Sequence, residues 1–139
     1  MMSRQGRYFF TGGCIAALLA VMLGAFGAHV LKARVEPALL ATYQTAVEYH
    51  FYHALGLLGA GLASAHCLRP GMLRLAGWLM AAGLLLFSGS LYLLVLTGVR
   101  GLGAITPLGG LAWMAAWLLL ALAFLPQRDE SRPGAPPAG

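Results

Sequence analysis

YFFTGGCIAALLAVMLGAFGAHV, residues 8–30, decides the fold class. No Asp, Glu, Lys or Arg interrupts it, and its length as a helix matches the ~30 Å hydrocarbon thickness of a bilayer. Three further apolar runs follow at residues 45–66, 72–96 and 105–125. Each is about 20–25 residues, again a helical span. The whole chain is 60% apolar and 9% charged, whereas soluble domains carry about 25% charge. A soluble helical protein would also show polar faces at a 3.6-residue period, and these runs show none. The fold class expected is therefore all-α: an integral membrane bundle of four transmembrane helices.

The chain reads as one domain. Residues 1–7 form a cytoplasmic segment, 8–125 the four-span transmembrane domain, and 126–139 a Pro- and Gly-rich tail of disordered composition. Arg4 and Arg7 ahead of an apolar run resemble a signal peptide, but the run is longer than a usual signal core and is read as a retained span. The net charge of +5 comes from scattered basic residues, so it speaks for topology and lipid headgroups rather than nucleic acid. Arg4, Arg7, Arg69, Arg74, Arg128 and Arg132 fall on one side; Lys32, Arg34 and Arg100 fall on the other. That asymmetry predicts both termini in the cytoplasm. Cys14 and Cys67 then lie near the reducing face, and neither belongs to a CxxC pair.

Small residues mark the packing surfaces. Gly12, Ala16, Ala20, Gly24 and Ala28 recur at every fourth position of the first run, and Gly56 and Ala60 repeat the device in the second. Lipid offers no hydrophobic drive between helices, so close backbone approach supplies association energy, within one bundle or between copies. Between the first two spans, Glu36-Pro37 followed by Leu39, Leu40, Tyr43 and Val47 predicts a short interfacial helix with Tyr43 at headgroup level. Thr106-Pro107 predicts an N-cap and N1 proline opening the fourth span. No internal repeat is evident, which argues against an inverted-repeat transporter.

Alternation of chain direction brings the polar side chains of all four spans toward one face. They are His29; Glu48, Tyr49, His50 and His53; Ser88, Ser90 and Tyr92; and Thr106. Helical spacing puts Tyr49, His50 and His53 in one sector and Glu48 on another face. Imidazoles ligate metals and titrate near neutrality, so His29, His50 and His53 are the candidates for a metal or haem site or a proton path. Structural hydrogen bonding is the plainer alternative, and serines in membrane helices also bend them without further role. Ser88 and Tyr92 share a face able to complete a pocket with His53, while Trp113 and Trp117 read as packing bulk.

Four ordered motifs, Gly24-Ala25-Phe26-Gly27-Ala28-His29, Thr45-Ala46 with Tyr49-His50 and His53-Ala54-Leu55, Phe87-Ser88-Gly89-Ser90-Leu91-Tyr92, and Thr106-Pro107-Leu108-Gly109-Gly110, resemble the YgdD-type family. That family comprises small bacterial inner-membrane proteins with mitochondrial relatives. The resemblance runs from about residue 8 to 125 and implies four inner-membrane helices without implying an activity. The function expected is a non-enzymatic membrane component with an assembly, stabilising or small binding role. The alternatives are a carrier or relay of protons, ions or a small ligand, and a haem or metal protein. No cofactor is expected. The partners expected are the bilayer and a membrane protein or a second copy.

Orientation is testable with both native cysteines replaced by alanine. Ala41→Cys and Gly101→Cys should react with an impermeant maleimide in intact cells, while Gly71→Cys and Gly134→Cys should stay protected. Reversed labelling would invert the topology.

Overall fold

A computed structural model describes residues 1–126 and is wholly helical there. The tail expected from residue 126 therefore lies, from residue 127 on, outside the described residues. Helix α1 spans Arg4–His29, α2 Pro37–Ala63, α3 Pro70–Gly83, α4 Ser90–Thr97 and α5 Thr106–Phe124. A six-residue π-helix, Leu84–Gly89, joins α3 to α4 into one continuous rod. Three helical stretches, Arg4–Ala33, Pro70–Thr97 and Arg100–Phe124, are long and apolar enough to cross a membrane. Helix α2 is as long as α1 but carries the Glu48–His53 polar run, which lowers its mean hydropathy.

Local signals explain the ends. The Ser3 hydroxyl accepts from the Gly6 N–H and caps α1. Pro37 and Pro70 open α2 and α3 from the first turn, where no N–H partner is lost. Gly98, at φ +74°, closes α4 in the left-handed conformation that glycine adopts without Cβ strain. The Arg69 guanidinium donates to the Leu122 carbonyl at 2.9 Å and so satisfies the C-terminal end of α5. The interfacial helix expected before the second span is not a separate element. Only the 3-10 turn Leu31–Ala33 precedes α2, which runs unbroken from Pro37. Tyr43 is buried, and its hydroxyl donates to the Leu23 carbonyl at 2.9 Å.

Helix α2 is the axis of the bundle. Tyr43, Ala46, His50, His53, Leu57 and Ala60 are its buried line, a three-four spacing that keeps one seam inward. Helix α1 lies antiparallel along α2, and α5 lies against α3. The contact stripe of α1 differs from the every-fourth stripe read in the sequence. Gly6, Gly13, Ala20 and Gly27 are buried, Gly12, Ala16 and Gly24 are half-buried, and Ala28 is exposed. Four residues advance a helix by about 400°, so a four-spaced row drifts about 40° per step, whereas seven residues drift only about 20°. A straight seam therefore follows the heptad. A Cβ on Gly13 would press on the Leu58 amide and the Ala54 carbonyl, and one on Gly27 would enter the Tyr43 ring. In the second stripe, Gly56 and Ala60 are both buried.

Gly13→Ala should therefore cost about 1–3 kcal/mol through forced separation of α1 and α2. Gly59→Ala, where a Cβ meets nothing within 4 Å, should leave the melting temperature in detergent unchanged. Equal effects at the two sites would show that the α1–α2 approach is not tight.

Candidate functional site

Two apolar clusters bracket a polar layer. Phe9, Leu57, Leu73, Met80, Ala116 and Ala123 form one; Leu31, Tyr43 and Val95 form the other. Between them lie the four buried polar side chains, His50, His53, Ser88 and Ser90. His50 is the middle residue of α2, Ser88 and Ser90 lie in the later part of the Pro70–Thr97 rod, and Thr106 opens α5.

The two histidines face different neighbours. His50 Nδ1 lies 3.2 Å from the Tyr92 hydroxyl, and Tyr92 in turn packs on Tyr43 with ring centroids 5.2 Å apart. His53 Nδ1 lies 2.8 Å from the Tyr49 carbonyl, which only accepts, so that nitrogen carries the proton. The His53 ring stacks on Trp113 at 3.6 Å and 7°. Tyr49 and Phe87 extend the stack on the α5 side. Trp113, set aside in the sequence as bulk, is thus a principal neighbour of His53. Its buried indole N–H donates to the Met80 carbonyl at 3.2 Å, as a buried indole requires. Gly83 makes this possible, because a Cβ there would overlap the indole. Glycines 83 and 109 are the sequence signal for that crossing; Gly109 lets α5 lie on Phe87.

His29 does not join the pair. Antiparallel alignment sets Gly27 against Tyr43, so seven residues on, His50 reaches the middle of α1 and lines a cavity with Ala16. His29 is exposed in the last turn of α1, more than three turns beyond Ala16, or about 20 Å. Among the described residues, no group of three His, Cys, Asp or Glu side chains is placed to hold a metal ion.

The α3–α4 rod departs from a regular helix at the polar layer. The π-helix adds a residue to the turn, so Tyr92 meets His50 rather than His53. Ser88, inside it, is buried with its hydroxyl unpaired. The Ser90 hydroxyl donates to the Phe87 carbonyl at 2.9 Å and lies 2.9 Å from the Thr106 hydroxyl. Thr106 therefore ties α5 to α4 instead of capping its own helix, which has no side-chain cap.

Glu48 stands apart. It is exposed, beside an exposed Tyr52, in an outer groove with Phe51, Val21, Gly24 and Ala25. A second shallow groove places it with Gln44, Val47 and Tyr43, and neither includes Lys32 or Arg34. Tyr49 is also partly exposed at its outer edge.

Comparison with known proteins gives a consistent family and no activity. The family described as "Protein of unknown function (DUF423)" matches residues 23–110. The UPF0382 membrane protein YwdK of Bacillus subtilis is 48% identical over 84% of this chain and 95% of its own length. A UPF0382 membrane protein of Staphylococcus epidermidis is 44% identical over 86% of this chain and 96% of its own. One of Staphylococcus haemolyticus is 42% identical over 82% and 92% respectively. No solved structure matches significantly.

The α4–α5 tie can be isolated by a double-mutant cycle. Ser90→Ala and Thr106→Val should couple by about 0.5–1.5 kcal/mol in thermal unfolding in detergent, the net worth of one hydrogen bond. Strict additivity would show that the two hydroxyls do not bond.

Proposed function

This chain belongs to the DUF423 family of UPF0382 membrane proteins, and on that premise we propose that it is a YgdD-type, four-span inner-membrane protein that docks onto another membrane component. The role is non-enzymatic: assembly or stabilisation of a partner, which is a membrane protein or a second copy of this chain. In this reading α2 is the remaining span, long enough at about 40 Å to cross the bilayer, with both termini cytoplasmic. Its histidines are shielded from lipid by the helices around it.

The observation that carries the reading is the outward face of α2. Glu48 and Tyr52 are exposed level with Val21 to Ala25, within the apolar length of α1. An ionisable side chain facing hydrocarbon is costly and normally faces protein or a water-filled cavity. A neighbouring helix that supplies a donor or a cation to Glu48 removes that cost. The relay reading has less support, because His50 bonds toward Tyr92 while His53 bonds to Tyr49 and stacks on Trp113.

Photocrosslinking in native membranes tests this. Tyr52→p-benzoylphenylalanine should give a protein adduct of defined mass, weakened by Glu48→Leu. The same label at Leu118, exposed on α5, should give lipid adducts. Lipid adducts alone at both positions would overturn the docking role.

A further inference from the structure

Opposite charges face one space at the end of the bundle where α2 begins and α4 stops. A cavity of about 630 Å³ lies there. Glu36, the residue before the first turn of α2, lines it, and so does Arg100, which opens the 3-10 turn Arg100–Ala104. Both side chains are exposed, and among the described residues they form no ion pair with each other. Glu36 also caps no N–H of its own helix. Thr42, the other polar residue of the lining, already donates its hydroxyl to the Ala38 carbonyl at 3.0 Å. A carboxylate that only accepts and a guanidinium with five N–H donors are therefore left to whatever enters.

The lining is layered along the helix axes. Leu39 lies one turn into α2, and Leu94 one turn back from the end of α4. The two charges thus stand about 5 Å farther out than an aliphatic floor. Both leucines pack against the Leu31–Tyr43–Val95 cluster, which holds that floor in place. Ala38 and Gly98 complete the wall with little or no side chain.

This order of surfaces selects the occupant. A lone anion would suit Arg100 and meet the carboxylate of Glu36; a lone cation would do the reverse. Neither has a use for the leucines. An amphiphile with both charges in its head matches every part of the lining. The guanidinium fork fits a phosphate, and a primary ammonium brings N–H donors to Glu36, which a quaternary ammonium lacks.

We propose that this cleft binds a phosphoethanolamine group, its phosphate on Arg100 and its ammonium on Glu36. The aliphatic floor suits the chains of an ethanolamine phospholipid; a soluble ester would use the charged layer alone. The cleft shares no lining residue with the two grooves at Glu48, so either conclusion can fail without the other.

The test uses the full chain, purified in detergent and stripped of lipid. It is offered equimolar phosphatidylethanolamine, phosphatidylglycerol and phosphatidylcholine of one acyl composition, and native mass spectrometry counts what is retained. One phosphatidylethanolamine per chain should be held, favoured about three- to tenfold over the other two, the worth of one hydrogen bond. Glu36→Gln should abolish that preference, and Arg100→Gln should weaken retention of all three lipids. Lys32→Gln removes a basic side chain outside the cavity and should leave the preference intact. Displacement of the lipid by an equal concentration of glycerophosphoethanolamine would make the ligand a soluble ester, and persistence would make it the phospholipid; both results uphold the headgroup chemistry. Equal retention of the three lipids by the folded wild-type chain would overturn the proposal. So would a preference that survives Glu36→Gln with the circular dichroism unchanged.

Discussion

The rest of the structure depends on burying the two imidazoles of α2 among the other helices. A polar side chain inside a bilayer needs a protein partner, because no water competes for the role. His50 takes a phenol and His53 takes a carbonyl of its own helix. Each solution then requires geometry elsewhere. The phenol requires Tyr92 to face α2, which the π-helix achieves by shifting the register of the third span. The stacked imidazole requires Trp113 to lie flat against it, and that indole must also find an acceptor. Gly83 and Gly109 admit the indole and the α5 backbone, so two absent methyl groups position the aromatic stack.

The polar layer lies between two apolar clusters. Tyr43, Leu31 and Val95 close the layer on one side, and Phe9, Leu57 and Met80 close it on the other. Apolar packing on both sides of the layer favours single well-defined hydrogen bonds over exchange with water. The Ser90–Thr106 contact adds a tie between α4 and α5. It does so with hydroxyls, which suit a site where a charge would be costly.

Much of the architecture was readable from the chain. Apolar runs without interruption gave helices, and Pro37 marked a start, though of α2 itself rather than of a separate interfacial helix. Two things were not readable. The position of His50 depended on the antiparallel register of α1 and α2, which Gly27 and Tyr43 set through one close contact. A four-residue count of small side chains gave the wrong seam because its drift is about twice that of the heptad and of opposite hand. The π-helix was equally hidden. It arises from packing against α2 and α5, and its residues, Leu84 to Gly89, have no composition that differs from an ordinary membrane helix. Grouping His29 with His50 and His53 followed from the first of these errors.

The same geometry separates the two sides of α2 into different physical roles. Its inward seam spends every large polar group on internal bonds: Tyr43 to Leu23, His50 to Tyr92, His53 to Tyr49. Its outward face leaves Glu48 and Tyr52 beside the small residues of α1. A helix that needed polarity only for its own fold would show it on the seam alone. Under the docking proposal, the seam secures the bundle and the outer face meets a partner. Small residues of α1 reinforce the distinction, since Gly24 and Ala25 leave the carboxylate of Glu48 open to an approaching helix. The lower hydropathy of α2, which sets it apart from the three strongly apolar helical stretches, is on that proposal the sum of two constraints: one internal to the fold and one facing the partner.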